Sequence, residues 1–485
     1  MRKIIAVIVC TSLLIVTLVA CGDSKKPPIP TYTGEASTKE PTKTPEPPSK
    51  TPEISTEPIS DRDENEIVVT VPDIFMKDIV EKYAGRHPEF PYKFRVLFPV
   101  GNWEDELYEF GVDSDIAPDI AFVSTERIYD YTEGKYAEVT CPYEELDLDV
   151  DALIKEAEVE PYVVDTGTRA DGKLVALSIE STVGGFYYRR SIAKAVWGTD
   201  EPAEVQKKIG GSWDNFLKAA QEMKEKGYAI VSSYEELWNP LGDSATKGWV
   251  VDGKLYIDPK REAFFEIANI IRSNNYDTGT TYFSNEWSQD IRGERSKQVF
   301  GYFNSSVWFL QGISNDSKEK SEMKTYGDWA VCQPTCSFNT DGQYLVVNSR
   351  CKNKKAVGEF VKWFTLNTGK DGYQYQKLDG QFVGLNDRYK DMRLEPGGVP
   401  SAKVMKSVNP KNFLDFFGGQ DIYKTFASFG DANTSSVDTQ YDIDLMYFWF
   451  MQVEYYVDGE KTKKQAMEDF KDWVKANYST EILVE

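Results

Sequence analysis

Few side chains in this 485-residue chain suit covalent or metal chemistry. There is one histidine, His87, in the stretch Gly85-Arg86-His87-Pro88. Every site that needs two imidazoles is therefore excluded, the HExxH zinc pair among them. A Ser/His/Asp triad would hang on that one residue at a helix end. No Cys-x-x-Cys pair exists, which makes zinc a poor fit. Asp147, Asp149 and Asp151 match positions 1, 3 and 5 of a calcium loop, with Glu158 at position 12, yet Ala152 stands where the sharp turn needs glycine. A capped helix with acids in its first turn accounts for the same residues. No metal and no cofactor is expected. Aromatic and polar groups are abundant instead: 11 Trp and 28 Tyr, with 78 Asp and Glu against 56 Lys and Arg. Such groups support either a pair of catalytic carboxylates or non-covalent recognition of a ligand with apolar faces and many hydroxyls.

The formal charge of −22 argues against a nucleic-acid partner, because phosphate affinity needs clustered Lys and Arg. The start of the chain is set apart. Arg2 and Lys3 precede a run from Ile4 to Val19 that is almost wholly apolar, and Leu18-Val19-Ala20-Cys21 follows. Residues 1–20 read as a secretory leader, and the last four residues of this stretch resemble a bacterial lipobox in which Cys21 takes a diacylglycerol. Residues 24–60 hold nine Pro, seven Thr and five Ser, with Tyr32 the lone aromatic. They cannot bury enough surface to offset their ordering entropy. Residues 21–65 are therefore expected to be a lipidated start and a disordered tether, which spans on the order of 100 Å if mostly extended. Cys141, Cys332, Cys336 and Cys351 remain for an exporting context, with three pairings open.

From Glu66 onward strands and helices alternate. Ile67 to Val71 reads as a buried strand, and Phe75, Ile79, Val80 and Tyr83 recur at helical spacing. Tyr92, Phe94, Val96 and Phe98 alternate as a second strand. Residues 102–110 read as helix and Asp119 to Val123 as a third strand. This order predicts a parallel sheet with helices on both faces and a ligand at the carboxyl ends of its strands. Those ends carry Asn102-Trp103 after the second strand and Ser124 after the third. Further on, Ser212 is a plausible N-cap for a helix through Phe216, Ala219, Ala220 and Met223, and Gly227 stops it. Val357, Phe360, Val361 and Phe364 predict another helix, and Ala466, Phe470, Trp473 and Val474 a last one.

Six segments occur in a telling order: Asp171 to Leu177, Gly184 to Arg190, Ser212 to Phe216, Val299 to Phe303, Gly327 to Val331, and Gly342 to Asn348. Over roughly residues 66–475 this series resembles the family 1 extracellular solute-binding proteins of bacterial ABC sugar importers, the class that includes maltose-binding protein. The resemblance implies the type II periplasmic-binding-protein fold: two doubly wound α/β lobes joined by crossing strands, with the ligand cleft between them. It places lobe one at 66–178 and 299–347 and lobe two at 179–298 and 348–485. Glu180 and Ser181 then lie at the first crossing, and Asp341 and Gln343 at the second. Trp308 follows a strand re-entering lobe one, while Trp238 and Trp287 sit in lobe-two loops. With Asn102, Trp103 and Ser124, these are the candidate sugar contacts. The implied protein is a monomeric receptor on the extracellular face of a Gram-positive membrane, lipid-anchored through Cys21. It hands a sugar or oligosaccharide to ABC permease subunits without chemistry. The alternatives are a surface glycoside hydrolase with paired carboxylates, or a carbohydrate-binding adhesin or sensor input.

Overall fold

Ile67, Val68 and Val69 are all fully buried, as expected of a central strand with covered faces. They form β1 (Glu66–Thr70), which is followed by the helix Ile74–Arg86. The Asp73 side chain caps that helix by accepting from Met76 N at 2.8 Å. β2 (Lys93–Leu97) and β3 (Ile120–Ser124) lie parallel to β1 on either side, as the alternating pattern predicts. The computed structural model describes residues 63, 65–99, 110–111, 117–305, 309, 323–340, 342–382, 397–409, 415–429 and 439–484. The helix expected over 102–110 falls almost wholly outside them.

The next strands are β4 (Ala176–Ser178), β5 (Gly184–Arg189), β6 (Gly301–Ser305), β7 (Trp329–Cys332) and β8 (Gln343–Val347). The first sheet has the order β2-β1-β3-β8-β4, and the second has the order β6-β5-β7. The first is therefore mixed rather than purely parallel, because β8 runs antiparallel to both β3 and β4. It re-enters this sheet from the other lobe, where a right-handed βαβ crossover plays no part.

Two lobes of α/β structure result, but they divide the chain differently from the expected 66–178/299–347 and 179–298/348–485. β6 and β7 flank β5 in the second sheet, so residues 301–305 and 329–332 belong with lobe two. The helix Lys354–Thr365 packs under the first sheet, where the Phe360 and Tyr83 rings meet at 5.0 Å and Phe364 and Phe122 at 5.3 Å. Close packing of β5 on β6 accompanies the first change, with the Phe186 and Phe303 rings 4.8 Å apart. Phe186 of β5 lies so close to Gly301 that an added Cβ would sit 2.3 Å from its ring.

Strand alternation splits the core. Phe186 and Tyr188 face a cluster with Phe216, Phe300, Phe303, Trp449 and Phe470. Tyr187 and Tyr302 face the opposite way, into the core that continues through the first sheet. The helices Asp442–Val457 and Lys463–Tyr478 close the far side of lobe two, with Trp449 set edge-on to Phe470 at 4.9 Å. Ser212 caps its helix as expected, accepting from Asn215 N at 3.2 Å.

Candidate functional site

Among the described residues, two antiparallel segments join the lobes. Residues 178–184 lead from β4 to β5, and residues 338–340 and 342–343 lie on the return from the second sheet to β8. They hold each other by an antiparallel bridge between Val183 and Asn339, with Gly184 N donating to Phe338 O at 2.8 Å and Thr340 N to Thr182 O at 3.0 Å. The Ser178 hydroxyl lies 2.8 Å from Glu180 O and 3.1 Å from Gln343 O, which ties both crossings to the end of the first sheet.

Several expected site residues meet there. Ser124, the last residue of β3, stands directly opposite Gln343 of β8. Its hydroxyl does not cap the short turn that follows. Thr125 docks on Gly342 instead, through its N–H at 2.9 Å and its hydroxyl at 3.2 Å. Gln343 Oε1 and Thr340 Oγ1 are buried without a hydrogen-bond partner among the described residues. Such acceptors are costly to leave empty and suit a ligand hydroxyl. Glu180 is half-buried and pairs with Lys377 at 3.4 Å. Burial raises the carboxyl of nearby Asp73, and the Glu180 charge adds to this. Ser181 is differently employed: its hydroxyl donates to Glu160 Oε1 at 2.9 Å and its N–H to Gly398 O at 3.0 Å. It fastens the crossing to lobe one.

The two lobe-two tryptophans lie in the interior. Trp238 packs in the second core against Phe450 at 4.8 Å and Phe264 at 5.5 Å. Trp287 has 0% exposure, and its indole N–H donates to Glu236 Oε1 at 2.9 Å. Both rings are enclosed by protein, so the structure places these two expected contacts in the core. Asn102, Trp103, Trp308, Asp341 and Cys21 lie outside the described residues.

A polar and aromatic group beside β6 was not anticipated. Asn304 pairs with Gly185 of β5, where the first crossing enters the second sheet. Its Nδ2 donates to the Tyr282 hydroxyl at 3.1 Å, which Asn239 Nδ2 also approaches, at 3.3 Å. The Tyr282 and Phe283 rings lie 4.0 Å apart, and Phe283 is 36% exposed at φ 59°. A bulky residue in the left-handed region is costly and often marks a working position. The signal in the sequence was the pair of adjacent aromatics inside a Thr/Gly/Ser loop, residues 278–284. Behind this group Tyr282 N donates to Glu235 Oε2 at 2.6 Å. Burial pushes the Glu235 carboxyl up to about 7, and raises that of fully enclosed Glu236 well above its ordinary value.

Among the described residues no set of three or more metal-ligating side chains converges. The acids of the calcium-like stretch have other partners: Asp149 caps the helix Val150–Ala157, Asp147 pairs with Lys355 at 3.1 Å, and Glu158 pairs with Lys406 at 2.7 Å.

Two α/β lobes with paired crossing segments define the class of type II binding proteins. The sequence pattern for "Bacterial extracellular solute-binding protein" matches residues 113–371, more than half of the chain, and the chain belongs to that family. The family is one of substrate-binding proteins rather than enzymes. Solved structures share the fold. The sugar-binding protein MalE from Xanthomonas citri is 14% identical, with a TM-score of 0.59 over 85% of this chain and 96% of that one. The galacto-N-biose/lacto-N-biose I-binding protein of a Bifidobacterium longum ABC transporter is 17% identical, with a TM-score of 0.55 over 84% and 94%. The GacH receptor of Streptomyces glaucescens, solved unliganded and with acarbose, is 14% identical, with a TM-score of 0.56 over 85% and 97%. No curated protein sequence matches the chain. No helix among the described residues is long and apolar enough to cross a membrane.

Proposed function

We propose that this chain is the lipid-anchored receptor of a carbohydrate ABC importer, capturing a sugar or oligosaccharide outside the cell and presenting it to permease subunits. The observation that carries the reading is the junction of the two crossings. There Ser124 stands opposite Gln343, and the buried acceptors Gln343 Oε1 and Thr340 Oγ1 lie in a family of solute-binding proteins. Sugar hydroxyls donate to such acceptors, while rings cover the C–H faces. In this reading Tyr282 and Phe283 supply lobe-two ring surface, with Asn239 and Asn304 fixing the Tyr282 hydroxyl. Trp308, Trp103, Asn102 and Asp341 remain proposed contacts. The two crossings act as the hinge about which the lobes close.

Residues 1–20 serve as leader and Cys21 as the acylation site, with residues 22–65 as tether. Two acyl chains give stable anchoring where one is marginal. The full chain should show a rise in Tm with a particular oligosaccharide in a panel of plant-wall, starch and host-glycan fragments, and chromatography should recover that sugar intact. Shortened sugars would favour a hydrolase. No shift across the panel would sink the carbohydrate reading.

A further inference from the structure

Of the four cysteines beyond Cys21, the fold brings two together. Thr140 bridges Asn348 in antiparallel fashion, Cys141 N donates to Val347 O at 2.7 Å, and Ser349 N donates to Val139 O at 2.8 Å. The chain then turns back at once, with Cys351 N donating to Asn348 O at 3.0 Å. Cys141 and Cys351 therefore sit on adjoining segments at the same edge of lobe one, and both are buried, at 0% and 4% exposure. Lys354 stands beside both. Its ammonium group pairs with Glu145, and its charge acts on the Cys141 thiol more than on that of Cys351. All four cysteines are free thiols in this structure, and Cys351 lies beside Asp119 with Cys141 as a weaker neighbour.

The other two cysteines have no such relationship. Cys332 closes β7 inside the second core, and its thiol is raised by burial alone. Cys336, four residues on, is only half-buried and faces Lys260 and Trp213. Cys332 and Cys336 are thus close in sequence but differently surrounded.

We propose that Cys141 and Cys351 are joined as a disulfide in the exported protein, while Cys332 and Cys336 remain thiols. The oxidant is a disulfide-bearing exchange partner of the extracytoplasmic space. The two cysteines lose two protons and one electron pair as the Sγ–Sγ bond forms, and the oxidant's own S–S bond is reduced to two thiols. Burial pushes the Cys141 thiol up to about 11 and that of Cys351 higher still. Thiols held protonated exchange slowly, so the bond forms while the chain folds and is shielded afterwards. The bond ties the segment ahead of the first crossing to the segment after β8. It stiffens lobe one and leaves both crossings free to bend. A cross-link closing so long a loop restricts the unfolded chain strongly.

The bond does not depend on which solute binds, and its test needs none. The full chain with its own leader is produced in an exporting bacterium, alkylated under denaturing conditions without reductant, digested and mapped by mass spectrometry. The expected result is one cross-linked peptide pair joining Cys141 to Cys351, two hydrogens lighter than the separate peptides, with Cys332 and Cys336 recovered alkylated. Reductant should lower Tm by about 5 °C or more and should leave the Tm of the Cys141→Ser/Cys351→Ser protein unchanged. Should that double variant fail to fold, the peptide map of the unaltered chain still decides. Recovery of Cys141 and Cys351 as alkylated thiols overturns the proposal, as does either one bridged to Cys332 or Cys336.

Discussion

Ser124 and Gln343 face each other across the β3–β8 ladder, where the returning chain meets the end of the parallel strands. Directly opposed residues of an antiparallel pair project to the same face, so the hydroxyl and the amide are presented together. Gln343 Oε1 has no partner among the described residues although it is buried.

That arrangement predicts separable effects on binding and stability. Gln343→Ala removes an acceptor that makes no internal hydrogen bond, so Tm should move by no more than a degree or two. Affinity for the bound sugar should fall at least about tenfold, near 1.4 kcal/mol, when measured by calorimetry. Ser124→Ala should follow the same pattern with a smaller loss. Unchanged affinity in both variants would remove this end of the first sheet from the site.

Phe283 offers a sharper contrast because its backbone is in the left-handed region, at φ 59°. Glycine relieves that strain and alanine does not. Both lose the ring contacts with Tyr282 at 4.0 Å and Trp287 at 5.1 Å. Phe283→Gly should therefore be more stable than Phe283→Ala by about 1 kcal/mol in urea unfolding. Both should weaken sugar binding to the same extent, since both remove the exposed ring. Equal stability of the two variants would argue against strain at this position.

Stability should also depend on pH through Glu235. Its carboxyl has an ordinary value of 4.5 and is pushed up to about 7 in the fold, chiefly by burial. Between those values the folded protein holds a proton that the unfolded chain has released. The contribution is full below about pH 4.5 and is lost as pH rises through about 7. Glu235→Gln should flatten this part of the profile by on the order of 2–3 kcal/mol between pH 5 and pH 8. Glu236, raised in the same direction, keeps a residual slope of the same sign. A wild-type Tm that rises across this range would contradict the assignment.

Much of the secondary structure in both lobes was legible because its elements carry their own period. The buried triplet of β1, the helix with Ile79, Val80 and Tyr83 inward, and the capped helix at Ser212 are all local patterns. What local pattern cannot give is the partner of a strand. β6 and β7 are apolar runs like any other, and only their pairing with β5 assigns them to lobe two. The same holds for tryptophan. Trp238 and Trp287 sit in loop-like sequence, yet Phe264, Phe450 and Glu236 enclose them. The exposed ring of this region is that of Phe283, whose exposure depends on a backbone angle that sequence does not display.

The hinge itself can be tested at Tyr162. Its hydroxyl accepts from Thr182 N at 2.8 Å and lies 3.2 Å from Thr182 Oγ1, at the middle of the first crossing. Thr182 is 3% exposed, so water cannot readily replace that oxygen. Tyr162→Phe keeps the ring and its packing but leaves a buried N–H without an acceptor. The expected cost is about 1–3 kcal/mol, read as a lower urea midpoint at an unchanged m-value. Thr182→Val removes the side-chain bond and keeps the backbone one, so it should cost less than Tyr162→Phe. If the two variants lose the same stability, the backbone bond to Tyr162 is not what holds the crossing in place.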